Sequence, residues 1–321
     1  MSDVASGPAS NDLVKVPTPW LDDEAYAYLN QRFYATEPHE YFARRLELLA
    51  LAAGKPGVVA RELAEGVEYD GLNWAVDRGE ERPDEFIVSE SVAIFHHVAE
   101  TLLRHYLAHE NDPRCPWIAI AELRRPRDFK SRLEERFTGA PLDKARRRQL
   151  ARVFYGHPEQ TADGLTRERW NDGLDDLERW LVYFARTILD DAQLYNSHKH
   201  GLTVGPGSAY LSIGMPGRAE SEPPLLEASG PSIAFLALDA KLGWPNLWHE
   251  RTHWIRPDAL IAESWWANRM LESIWRIGRS RYVEGGDLGD SITFFEPCFD
   301  ELARSRRDRS SCGTHRRVRR G

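Results

Sequence analysis

Cysteine is scarce in this 321-residue chain: Cys115, Cys298 and Cys312 stand alone, with no CxxC pair among them. Three scattered cysteines give neither a disulfide framework nor a sulfur-based zinc site, and a reducing cytosol is the compartment they fit. No apolar run approaches the roughly 20 residues a membrane-spanning helix needs. The opening MSDVASGPASND has no basic n-region and no apolar h-region, so it does not read as a secretory signal. The expectation is a cytoplasmic protein with no membrane partner. GxxxxGK[ST], GxGxxG and GxSxG are all missing, which removes the phosphate loop, the dinucleotide fingerprint and the nucleophile elbow. No internal repeat is found.

What is present is ordinary in bulk and uneven in detail. Hydrophobic residues make up 42% and charged residues 29%, values of a globular chain long enough for one large core or two smaller ones. Eleven tryptophans, most in segments that read as helix or strand, imply an aromatic core. Residues 304–321 hold eight Arg and one Asp, a net of +7 against −8 for the whole chain, so the first 303 residues carry −15. Such a tail is read as solvated and disordered, with a polyanion contact as the alternative. The acidic body is a poor platform for duplex DNA, because that binding runs on phosphate neutralisation; any nucleic-acid contact is local.

The chain divides by pattern. Residues 1–19 are rich in Pro, Ser, Gly and Asp and read as a disordered tail. A helical domain covers 20–200. Its helices are expected at about 20–51, at 90–109 with Ser89 as cap and Phe95, Val98, Ala99, Leu102, Leu103 and Tyr106 as core stripe, at 127–137, at 144–154, and at about 174–199. Gly201 sits where a left-handed residue ends a helix. Residues 67–88 look irregular. The period then shifts: 201–214 and 232–238 read as strands in a β-rich segment spanning 201–256, and 247–256 is ambiguous between strand and short helix. Pro257 opens a helix to about Tyr282, which heads a C-terminal segment, 257–303, ahead of the basic tail. The expected fold is mainly α, a helical bundle with a small antiparallel β element in the C-terminal half.

Two constellations carry chemistry. LYNSHKHGL ends the 174–199 helix, with Asn196 and His200 at i and i+4 and Tyr195 and Lys199 as the adjacent pair. This helix end resembles the motif helix of the HEPN proteins (higher eukaryotes and prokaryotes nucleotide-binding). Their signature is Arg, then a polar residue that is often Asn, then His four to six residues after the Arg. Asn196 and His200 match; Tyr195 stands in the Arg position, and the cation would fall to Lys199 or Arg186. The resemblance implies a helical protein that binds RNA or nucleotides. It also implies a homodimer and, in many members, a metal-independent RNase of bacterial defence or toxin systems. His200 would then be acid or base, Asn196 central, Tyr195 and Lys199 assisting, with no cofactor. A plainer reading has Lys199, His198 and His200 complementing the negative end of a helix dipole.

The second is a literal HExxH, His249-Glu250-Arg251-Thr252-His253. On a helix both histidines would ligate zinc and Glu250 would act as general base, with Glu272, 19 residues on, or Glu263 as third ligand. That describes a zinc-dependent hydrolase. Arg251 sets a cation inside the motif, and Pro245 and Pro257 limit any helix there to about eleven residues. As a strand, the segment puts His249, Arg251 and His253 on one face. Weaker signals remain on the 90–109 helix, where Glu90, His97, Glu100 and Arg104 lie opposite the core stripe and read as a solvated or salt-bridged face. A third overall reading makes every polar cluster structural, in a non-catalytic interaction protein.

Overall fold

In a computed structural model of the chain, residues 21–69, 72–74, 83–138, 142–159, 165–199, 203–213, 226–238, 248–285, 295–296, 298–300 and 314–317 are described. Among them the chain is mainly helical with a small antiparallel sheet in its C-terminal half, as the patterning implies.

Local chemistry sets the helix starts. Asp22 caps α1 (Asp23–Tyr34), its carboxylate accepting from the Ala25 N–H at 2.7 Å. Asp143 does the same for α7 (Lys144–Tyr155) at 2.8 Å, and Gly156 closes that helix in the left-handed region at φ 77°. Thr166 caps α8 (Arg167–Asp190). Proline occupies the first helical position of α2 (Pro38–Gly54), α3 (Pro56–Glu65), α5 (Pro116–Glu122), α6 (Pro126–Phe137) and α10 (Pro257–Tyr282). There its missing N–H costs nothing.

The axis of the bundle is α4 (Pro83–Glu110). Its stripe of Phe95, Val98, Ala99, Leu102, Leu103 and Tyr106 is fully buried, in one core with Leu46 of α2, Leu133 of α6, Phe154 of α7, Leu181 of α8 and Leu271 of α10. α10 thus contributes to the helical core. Where α10 meets α1 it does so through Gly278, where an added Cβ would lie 2.9 Å from His109 Nε2 and closer still to the Tyr34 hydroxyl. Length and composition would let α4 cross a membrane, which the sequence reading did not anticipate; in this fold its apolar stripe is the core of the bundle.

The sheet runs β3 (Val204–Ile213), β4 (Leu226–Leu238), β5 (Trp248–Trp254), β6 (Thr314–Arg317), every pair antiparallel. Alternation along β4 sends Ile233, Phe235 and Ala237 inward, against Val88 and Val92 of α4 and Leu194 of α9 (Ala192–Lys199).

Several expectations are corrected. α4 begins at Pro83, so Ser89 lies inside the helix instead of capping it, and Val67–Tyr69 (β1) pairs with Leu72–Trp74 (β2) in a stretch read as irregular. The helix expected at 174–199 is two. It breaks at Asp191, whose N–H donates to the Thr187 carbonyl while its own carbonyl accepts from Tyr195 N–H. Asp190 and Asp191 put two carboxylates at the negative end of α8, an unfavourable place to prolong a helix. Residues 314–317, placed in the disordered tail by composition, form the strand beside β5. Gly201 lies outside the described residues.

Candidate functional site

α9 is a two-turn helix held on α4 by three contacts. Leu194 enters the small apolar core under the sheet. The Tyr195 ring stacks on His96. Ser89 Oγ and His198 Nε2 share a hydrogen bond of 2.8 Å. Laid across α4 in this way, α9 separates an outer cleft from an inner cavity, and successive residues of α4 face different sides: His97 lines the cleft and His96 the cavity.

The outer cleft, about 440 Å³, is lined by Arg45 of α2, by His97, Glu100 and Arg104 of α4, and by Tyr195, His198 and Lys199 of α9. Two of its three cations are engaged. Arg45 is paired with Glu90 and also reaches His97 Nδ1 at 3.4 Å. Arg104 donates twice to Glu100, at 2.9 and 2.6 Å. Lys199 has no carboxylate partner among the described residues; its ammonium lies 5.6 Å from the centre of the Tyr195 ring. A guanidinium can only donate, so Nδ1 of His97 accepts from Arg45, which places the ring proton on Nε2. Burial, then the charge of Arg45, holds the His97 pKa below its usual value, so the ring is neutral at pH 7. The Tyr195 hydroxyl is pushed up, first by burial and then by Glu100, and stays protonated.

The inner cavity, about 400 Å³, lies between α4, α8, α9, α10 and the end of β5. Its lining mixes apolar residues, Val92, Phe95, Leu194 and Leu260 among them, with polar and charged ones that include His96, Asp191, His253, Arg256 and Glu263. His96 is 2% exposed and its Nδ1 is buried without a hydrogen-bond partner among the described residues. Burial drives its pKa down to about 3, with His198 and His253 adding to the shift. The indole N–H of Trp254, at the end of β5, is also buried without a partner among the described residues. Asp191 Oδ1 lies 4.0 Å from His253 Nδ1, and burial raises the Asp191 pKa against the opposing pull of that histidine. Tyr183 donates its hydroxyl to Glu263 at 3.0 Å.

Of the motif residues named from sequence, Tyr195 and Lys199 face the outer cleft together. Asn196 does not: it is exposed and outside the cleft lining, because the face of α9 that meets α4 is that of residues 194, 195 and 198. His200 lies outside the described residues. Arg186 is exposed on α8 and lines neither space. The face of Glu90, His97, Glu100 and Arg104 is salt-bridged as expected, and it is also the floor of the cleft, which periodicity on a single helix does not reveal.

HExxH is a strand and not a helix. His249, Arg251 and His253 pair with Ala237, Phe235 and Ile233, all on the inner face. Four strand residues set the two histidine Cα atoms about 13 Å apart, with the Arg251 cation between them. A zinc ion needs each nitrogen within about 2 Å. Glu272 is engaged by Arg269 at 3.0 Å on α10, and Glu250 alternates to the other face of β5. Among the described residues, the one group of three such side chains close enough to share an ion is Glu37, His39 and Glu40, near the start of α2. Glu263 and His253 do line one space, the inner cavity, but without His249.

No protein-family model matches this chain, and neither a curated protein nor a solved structure shows significant similarity to it.

Proposed function

We propose that this is an HEPN-like protein that binds RNA or a nucleotide in the cleft between α4 and α9, with a phosphate seated against Lys199. The observation that carries the reading is the state of the three cations. Glu90 and Glu100 neutralise Arg45 and Arg104, which leaves the Lys199 charge for a ligand. A phosphate there accepts from the ammonium and from Nε2–H of His97, both charge-compatible donors. Tyr195 and Lys199 take the parts that the family resemblance gives them as assisting residues. His97 replaces Asn196 as the neighbouring polar group.

The proposal is for binding. Cleavage of RNA needs a base to accept the 2′-hydroxyl proton, and His97, with Nδ1 occupied by Arg45, donates from Nε2 and does not accept. The deciding experiment is titration of a short single-stranded RNA and of a mononucleotide into wild-type protein and into Lys199→Ala. Saturable binding that weakens in the variant supports the reading, and equal affinity in both removes it.

A further inference from the structure

We propose that the inner cavity is a second binding site, for a free α-amino acid in its zwitterionic form with an apolar side chain. Charged groups of both signs line the space, and they gather at one end of it. Asp191 ends α8, and His253 Nδ1 stands 4.0 Å from its Oδ1, beyond hydrogen-bond length. Arg256 follows three residues after His253, where β5 passes into α10. The side chains of Asp191, His253 and Arg256 keep 31, 35 and 27% of their surface exposed, so this end is the mouth. At the floor Glu263 is buried and accepts from Tyr183, which precedes Asp191 by eight residues, about 12 Å along α8. Tyr183, Thr187 and Asp191, each four residues from the next, make the α8 wall between floor and mouth. Apolar residues of the other three helices, Phe95, Leu194 and Leu260, line the space between.

The charged groups at the mouth constrain the occupant. An organic anion would meet the Asp191 carboxylate, and an alkylammonium would meet the Arg256 guanidinium and, when protonated, His253. A neutral molecule would answer neither sign. An α-amino acid carries both: its ammonium donates to Asp191 and its carboxylate accepts from Arg256. Asp258 already accepts from Arg256 at 3.0 Å, but Asp258 is itself 69% exposed, and an exposed pair of this kind is weak enough for a ligand carboxylate to share the guanidinium. No side chain caps α10, so the N–H groups of its first turn stand beside Arg256 and favour the same anion. Burial raises the Asp191 pKa, and a ligand ammonium would oppose that shift as His253 does. The side chain of the amino acid then runs inward between Phe95, Leu194 and Leu260. Glu263, at the floor, takes a hydrogen bond from Tyr183, so that side chain needs no charge of its own. The space, about 400 Å³, falls within the roughly 300–1,000 Å³ of ordinary ligand sites.

This inference does not rest on the phosphate reading, because the probes carry no phosphate and the residues are different. Isothermal titration of the full chain at neutral pH with L-leucine and L-phenylalanine tests it. The controls are the matching amines, isopentylamine and phenethylamine, the matching acids, isocaproate and hydrocinnamate, and L-lysine for a charged side chain. At least one of the two amino acids should saturate at one per chain. Its amine, its acid and L-lysine should each bind about tenfold more weakly or worse, the worth of one charge-assisted hydrogen bond. Asp191→Asn should weaken the amino acid about tenfold and leave its acid no weaker. Arg256→Gln should weaken it by a similar factor and leave its amine no weaker, a pattern that general damage to the fold does not give. If either variant does not fold, the wild-type comparison of the amino acid with its two halves carries the test. Lys199→Ala should leave amino-acid binding unchanged, and a loss there would move the binding to the outer cleft and overturn the proposal. So would no saturation by leucine or phenylalanine, a half-molecule or L-lysine that binds as tightly, or full affinity in both charge variants.

Discussion

The ring of Tyr195 lies nearly flat on that of His96, with centroids 4.9 Å apart and planes 19° apart. The Lys199 ammonium stands 5.6 Å from the centre of the same ring. This stack joins a buried neutral imidazole, a phenol and a cation across the wall between the two spaces. With the Ser89–His198 hydrogen bond and Leu194, it holds α9 on α4.

Replacing Tyr195 therefore tests how Lys199 is positioned. Tyr195→Phe keeps the stack and loses the hydroxyl contact with Glu100, so RNA or nucleotide affinity should fall by less than about threefold and stability by about 1 kcal/mol. Tyr195→Ala should cost about 2–4 kcal/mol in denaturant unfolding and weaken the ligand more than Phe does. Equal affinities for the Phe and Ala variants would mean that Lys199 does not depend on the ring.

Acid should destabilise the fold earlier than carboxylate titration alone would. His96, His105 and His109 are buried neutral, with pKa values near 3, 4 and 3 against about 6.5 when unfolded, and burial is the main cause in each. A depressed folded pKa means that the unfolded chain binds the extra proton. The stability these groups contribute is whole above pH 6.5 and is lost as pH falls through 6.5 towards 3–4. Each contributes a slope on the order of 1.4 kcal/mol per pH unit in that window. Urea unfolding at pH 7, 6 and 5 measures it, and a flat stability over that range would contradict the burial of these rings.

Arg136 sits in an almost closed ionic knot. It donates to Glu110 at 3.0 Å and to Glu178 at 3.0 and 3.2 Å, and to the Tyr106 hydroxyl at 2.6 Å. Burial pushes Glu110 up in pKa while Arg136 pulls it back. Arg136→Ala leaves Glu178 without this guanidinium and Glu110 with only Arg132, at 3.7 Å, and should cost about 3–5 kcal/mol. Part of that loss should return between pH 7 and pH 5, because burial favours the neutral form of Glu110. Denaturation of the variant at the two pH values measures both effects.

The strand geometry at 248–254 predicts that His249→Ala and His253→Ala do not change metal content. Protein purified without chelator or nickel affinity should hold no zinc that depends on either residue. One zinc per chain, lost in both variants, would show that the two histidines converge in spite of the strand.

Much of the fold was legible. The α4 stripe and the limits of α10 follow from spacings of three and four and from Pro257 at a first helical position. What escaped reading were places where tertiary contacts decide. At 248–254 the local signals, Pro245 and Pro257 on either side of the segment, limited a helix without excluding it, and the strand is decided by pairing with β4. The break at Asp191 had a signal, two adjacent acids at a helix end, but Leu177 to Tyr195 keep an apolar rhythm that runs across it. Of the residues that line the cleft, Tyr195 and Lys199 had been singled out in the sequence, whereas Arg45 and His198 had not. Arg45 joins the cleft from α2, across a sequence separation of 52 from His97. His198 was read only as a partner of the helix dipole, while its contact is Ser89 on another helix. Asn196 was misplaced because its face of α9 became known only once α9 was docked.

The central claim is that Lys199 holds a phosphate, and its most direct measurement is the salt dependence of RNA affinity in wild type and Lys199→Ala. A single charge-assisted contact should cost about tenfold in affinity when removed. It should also make the slope of log K against log salt shallower by about 0.7, the value for one contact on a single strand. Both changes together are what the account predicts. An unchanged affinity and an unchanged slope would contradict it.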